Sequence, residues 1–262
     1  MNDNNFYAEY NESNPSNNVY DTTMSETNVA FVKSYLWMFI GVLITFVSGM
    51  FFSVIYKNLL LSGSLADMSI FLVLFFVSFI VQMILCYKIN KHALTEARFG
   101  KALAGFLVFS ALNGFSFASL FVYFDISILY QVFGVVAVYF LILTLISFLF
   151  RKRVHKMATF AYMGLVTLLI ASVLVSLFSI FLFNQIGNVG IGLYLGISIL
   201  GLIVFTILTI VDIKSMHSII NNSLNKNAAS IAAAFALYLD FINIVIYILR
   251  ILAIFGKGRK NK

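Results

Sequence analysis

Seven long apolar segments, each near the length of a membrane crossing, leave this chain few ways to fold. A spanning helix needs about 20 mostly apolar residues at 1.5 Å per residue. Residues 34–56, 69–87, 102–124, 129–150, 159–183 and 190–211 meet that requirement, and a seventh segment covers 229–255. Hydrophobic residues make up 61 % of the chain and charged residues 10 %, whereas a soluble domain carries roughly 25 % charged residues. Too few charges remain to cover a surface facing water. The sole proline, Pro15, lies outside every apolar segment, and no repeat of solenoid period is visible. The expected fold class is an all-α membrane protein, a seven-helix transmembrane bundle.

The flanking segments set the organisation. Residues 1–28 hold five of the ten acidic residues and no Lys or Arg. They lack the basic start and apolar core of a signal peptide. The expected division is a disordered polar tail over 1–30, a transmembrane domain over 31–256 and a basic tail over 257–262. The loops alternate in charge. Loop 88–101 carries Lys88, Lys91, Arg98 and Lys101 against Glu96, loop 151–158 reads RKRVHKMA, and loop 212–228 has Lys214 and Lys226. Between them, loop 125–128 has only Asp125 and loop 184–189 has no charge. Basic loops stay on the cytoplasmic side, so the N-terminus is expected there too, in a plasma-type membrane. Seven full spans would place the basic C-terminal tail outside. Either the last segment is re-entrant or the tail crosses regardless.

Several chemistries drop out. The net charge of +7 comes in short clusters between apolar runs, without the basic, aromatic-interleaved face of a nucleic-acid module. One cysteine, Cys86, excludes a disulfide framework. His92, His155 and His217 all fall in loops and show no metal-ligand spacing. His217 is five residues from Asp212 and could modulate its response to pH. GLYLG, with Gly192 and Gly196, reads as close helix packing, as does Gly201.

Two carboxylates stand out. From residue 102 onward the acidic residues are Asp125, Asp212 and Asp240. Asp125 belongs to a short loop. Asp212 closes the sixth segment, and Asp240 sits about 16 Å into the seventh, near the middle of a ~30 Å hydrocarbon core. A charged Asp there costs about 2.5–3.5 kcal/mol on insertion scales, so it should face the bundle interior with a partner. Asn243 and Tyr247 share its helix face at i+3 and i+7. Arg250 is about 15 Å along the axis, too far to pair, and is expected to snorkel to the interface. The natural partner across the bundle is Asp212. Two carboxylates in contact in a dry site cannot both ionise easily and would share a proton. Raising the pH would charge the second and drive the helices apart, a route to a pH-sensitive gate. Carboxylate oxygens are also hard ligands that suit Ca²⁺. The plain alternative makes each aspartate a structural hydrogen-bonding plug between helices.

ALYLDFINIVIYILRIL at 236–252 resembles the C-terminal signature of the Bax inhibitor-1 family. SYLWMFIGVLITF at 34–46 is similar to the family's first helix, SALNGFSFASLF at 110–121 to the third of bacterial members, and VFTILTIVDIKSM at 204–216 to the sixth. The resemblance covers roughly residues 30–256. It implies a seven-helix fold with the last helix wrapped by the other six. It also implies a Ca²⁺ leak gated by an aspartate pair that senses pH, here Asp212 and Asp240, both also transient Ca²⁺ contacts. Bacterial relatives latch the helix-six aspartate with an arginine near the end of helix two. Lys88 is the positional candidate here, with Lys91 and Arg98 as rivals. No tightly bound cofactor is implied. The partners are the lipid bilayer, Ca²⁺ and H⁺.

Three rival readings stand beside this one. An intramembrane aspartyl protease also pairs two membrane aspartates, but carries Gly-x-Gly-Asp where this chain has TIV and LYL before them. A non-transporting scaffold that regulates stress or cell-death responses predicts no ion flux. A retinal-type protein needs a lysine in the last helix, and 229–255 has none.

Overall fold

The computed structural model describes residues 15–149, 158–168, 170–171 and 187–259. Every regular element among them is helical. The order is α1 (Pro15–Ser62), α2 (Leu65–Asn90), a π-helical turn (Lys91–Thr95), α3 (Phe99–Ser116), α4 (Ala118–Tyr123) and α5 (Ile126–Leu149). Then come α6 (Ala158–Leu168), α7 (Gly187–Asn221) and α8 (Lys226–Arg259). Six of these helices contain stretches long and apolar enough to cross a membrane: α1, α2, α3, α5, α7 and α8. The segment expected at 159–183 begins as α6, and its remainder lies largely outside the described residues.

α8 is the most buried of the six. It packs on α7, α1, α3 and α5, and its first turns also meet the π turn. Its start is thin: Ala228, Ala229, Ala232, Ala233 and Ala234 are all buried. Small residues let helix backbones approach closely in a membrane, where van der Waals contact replaces the hydrophobic drive. Larger rings follow. Phe106 and Phe109 of α3 meet Phe235 and Tyr238 of α8 edge-on, the closest pair being Phe109–Phe235 at 4.9 Å between centroids. Such T-shaped pairs suit the ring quadrupole.

Polar side chains bind the helices where lipid offers no partner. The Tyr238 hydroxyl lies 2.6 Å from Thr45 Oγ1 and accepts from Asn113 Nδ2 at 2.8 Å. This buried network joins α1, α3 and α8. Tyr35 lies 3.3 Å from Thr144, tying α1 to α5, and Tyr139 lies 2.8 Å from Thr206, tying α5 to α7.

The first helix starts inside the segment expected to be a disordered tail. Thr27 and Ala30 are buried, because residues 26–33 of α1 dock where α7 ends and α8 begins. Thr27 donates to Asn221 at 3.3 Å, Lys33 donates to Asn227 at 2.8 Å, and Glu26 pairs with Lys226 at 3.4 Å. At its other end α1 stops at Gly63, whose φ of 62° is the left-handed conformation glycine adopts without cost. The expected packing role of GLYLG does not appear among the described residues. A Cβ at Gly192 or Gly196 would meet nothing within 4 Å, whereas one at Gly201 would collide with the Tyr247 ring.

Candidate functional site: a carboxyl pair between α7 and α8

Asp240 lies 14 residues into α8, about 21 Å from the helix start. It is 4 % exposed. Its Oδ2 is buried and has no hydrogen-bond partner among the described residues. Most buried polar atoms have one, so this atom is an exception needing a cause. α7 packs along α8 and brings Asp212 close enough for its charge to act on Asp240. Asp212 itself is half-buried.

Two further residues surround the pair. Thr209 lies one helical turn before Asp212, is fully buried and sits beside the Asp240 carboxyl. Its hydroxyl donates to the Phe205 carbonyl at 2.7 Å and also lies within hydrogen-bonding reach of the Asp240 carboxyl, so one proton serves both acceptors. Tyr162 of α6 feels the charge of both Asp212 and Asp240. Thr209 had a signal in the sequence, its i−3 spacing from Asp212. Tyr162 had none, because a lone tyrosine in an apolar helix looks like any interfacial ring.

The other expected residues fall elsewhere. Asn243 donates to the Leu239 carbonyl at 2.7 Å, which occupies its amide on its own helix. Tyr247 lies against Phe205 with centroids 5.7 Å apart, and the Arg250 guanidinium sits 5.5 Å from its ring centroid. Arg250 is exposed. His217 is exposed and stacks near Phe31 at 6.1 Å. Among the described residues, no three His, Cys, Asp or Glu side chains converge on one point.

The three candidate latch cations sit at the end of α2 and just after it. Lys88 is exposed. Lys91 and Arg98 instead approach Glu96, at 3.5 and 3.2 Å, and His92 Nδ1 is 2.8 Å from the same carboxylate. The π turn makes this possible. Its wider coil lets Glu96 N–H bond Lys91 O at 2.9 Å, and the chain reversal after it lets Arg98 N–H bond His92 O at 2.8 Å, folding the cations back around Glu96. Ala97 takes a left-handed φ of 52° to complete the turn. Asn225 holds it there, donating to the Ala97 carbonyl at 3.1 Å while its Oδ1 caps α8 at Ala228 N–H, also 3.1 Å.

This loop has its own pH dependence. The His92 hydrogen bond, and then the charges of His92, Arg98 and Lys91, hold the Glu96 carboxyl below its ordinary value. A group lowered by folding stabilises the fold above its unfolded value, near 4.3, and loses that contribution as pH falls through the folded one. The hydrogen-exchange protection factors of residues 91–98 should therefore fall below about pH 4 in wild type. In Glu96→Gln they should already be low at neutral pH.

A membrane-spanning helical bundle with a carboxyl pair between its last two described helices defines the class: a polytopic membrane protein whose interior carries ionisable groups. Over residues 27–257 the chain matches the family described as Inhibitor of apoptosis-promoting Bax1, and it belongs to that Bax inhibitor-1 family. It is 32 % identical over 200 residues to an uncharacterized protein of Borreliella burgdorferi, covering 75 % of this chain and 78 % of that one. A Deinococcus radiodurans protein, also uncharacterized, is 27 % identical over 87 % of this chain and 92 % of its own. An uncharacterized membrane protein of Streptococcus pyogenes serotype M1 is 30 % identical over 68 % of this chain and 72 % of its own. No solved structure gives a significant match.

Proposed function

We propose that this protein is a pH-sensitive Ca²⁺ leak channel of the cell membrane, gated by Asp212 and Asp240. The observation that carries the reading is the buried Asp240 oxygen without a partner among the described residues, beside a second carboxyl on the facing helix. An ionised carboxylate with one oxygen buried and unbonded is expensive. A proton shared with Asp212 removes that cost and lets α7 and α8 stay packed. Loss of the proton leaves two like charges in a low-dielectric site, where their repulsion is strong. Separation of α7 from α8 relieves it and admits water.

Ca²⁺ is the cargo that suits such a path. It takes six to eight oxygen ligands, and two carboxylates with water can hold it only briefly, as conduction requires. The reading includes seven spans, an N-terminus in the cytoplasm and no catalytic step. Lys88, Lys91 and Arg98 remain the candidate latch on Asp212; in that role Lys91 or Arg98 would first release Glu96.

Ca²⁺ entry into liposomes holding the purified protein, from pH 6 to 8, tests it. Wild type should leak increasingly as pH rises, and Asp212→Asn or Asp240→Asn should flatten that response. Folded wild-type protein that passes no Ca²⁺ at any pH would sink the channel and leave the non-transporting scaffold in its place.

A further inference from the structure

α1 and α5 stand apart. α1 packs on α3, α4, α7 and α8, and α5 packs on α7 and α8, but their two backbones do not close on each other. Side chains bridge the gap at two places. Tyr35 meets Thr144 at one, and Phe46 meets Tyr130 and Phe133, both at 5.2 Å, at the other. Between the bridges lies a cavity of about 540 Å³, flanked by Phe39 and Leu43 of α1 and by Gly134 and Leu141 of α5, with Phe241 of α8 among its walls.

The dimensions identify an occupant. Eleven residues separate Tyr35 from Phe46, and eleven separate Phe133 from Thr144, so each helix spans about 16 Å between the bridges. That is half of a ~30 Å hydrocarbon core, the depth of one leaflet. Tyr35 is the second residue of its apolar segment, so the hydroxyl end lies at headgroup level, where tyrosine is favoured. The volume divided by that length, widened by the radius of a water molecule on each side, corresponds to a slot roughly 9 Å across, narrower than a helix of 10–12 Å. A helix of a second copy is too wide for it, and among the described residues no charged group lines the space to receive a headgroup. We propose that the α1–α5 groove is a binding site for one acyl chain of a membrane phospholipid, with its ester group beside the Tyr35–Thr144 hydroxyls. The chain would lie against Phe241, the neighbour of Asp240.

Gly134 makes the test clean. It lines the groove, and a Cβ there would meet nothing within 4 Å among the described residues. Gly134→Phe therefore fills the groove without a backbone clash; Ala137→Leu, on the same wall, serves if that variant gives no melting transition. The full-length protein is reconstituted in phosphatidylglycerol vesicles doped with phosphatidylglycerol carrying a diazirine midway along one acyl chain. Crosslinked peptides are then mapped after illumination. The exposed face of α2, including Ile70, Phe76 and Ile80, reports bulk lipid. Label should concentrate several-fold on 39–43 and 134–141 relative to 70–80. Filling the groove should remove that excess and leave the α2 label unchanged. Label no denser in the groove than on α2, label that survives filling, or labelling by a diazirine free fatty acid but not by the phospholipid overturns the proposal. The outcome is independent of Ca²⁺ flux.

Discussion

The Asp240→Val protein should pass no pH-dependent Ca²⁺ and yet melt higher than wild type. The two halves have one cause. Asp240 places a carboxyl in the buried centre of α8, with Oδ2 unpartnered among the described residues. On insertion scales an aspartate at a helix centre costs about 2.5–3.5 kcal/mol, whereas valine is slightly favourable. Leaving a buried polar group unsatisfied costs about 1–3 kcal/mol in its own right. Valine is near aspartate in size, so the swap adds little strain. Net stabilisation of about 1–3 kcal/mol follows, or a few degrees in melting temperature for a domain this large. The flux disappears because no second charge remains to part α7 from α8. Thermal melting in detergent, paired with the liposome assay, reads both. A variant that melts lower would make the carboxyl a structural plug between helices, and the gate would lose its physical basis.

Gly114→Val should be the most damaging single substitution in the bundle. A Cβ at Gly114 of α3 would overlap Ser48 Oγ of α1 and come within 2.5 Å of the Thr45 carbonyl oxygen and 2.8 Å of Gly49 N. Two of those three obstacles are backbone and cannot rotate away. The clash forces α1 from α3 at the level where Thr45 binds Tyr238 and donates to Ser110 O. Overpacking typically costs about 1–3 kcal/mol, and losing this network adds about 1–2 kcal/mol. Gly114→Val should therefore be recovered in low yield and melt well below wild type. Gly134→Val, with open space around it, is the control and should melt close to wild type. Equal melting of the two variants would mean that the α1–α3 approach is looser than the contacts describe.

Membrane class and the six long apolar helices were legible in the chain itself. Lipid tolerates only backbones whose polar groups are satisfied internally, so length and hydropathy decide the matter without tertiary information. Asp240 was equally legible, since a carboxylate inside an apolar run has a cost that demands a reason. Which faces turn inward was not. Lipid tails are as apolar as leucine, so an apolar side chain gives no hint whether it meets a neighbour or the bilayer. Gly192, Gly196 and Gly201 share one residue type, yet among the described residues only Gly201 is pressed against another helix, under Tyr247.

The sequence alone therefore determined that this protein lives in a bilayer, where its spans lie, and that two carboxylates sit in its last two apolar segments. Those are properties of composition along one dimension. Tertiary structure decided the rest. It brought Asp212 and Thr209 to Asp240, with Tyr162 within reach of their charge, folded Lys91 and Arg98 onto Glu96 through a π turn, docked residues 26–33 of α1 on the α7–α8 turn, and left a groove between α1 and α5. Each of these depends on helix rotation and approach distance, set by small residues and a few buried hydrogen bonds between positions far apart in the chain.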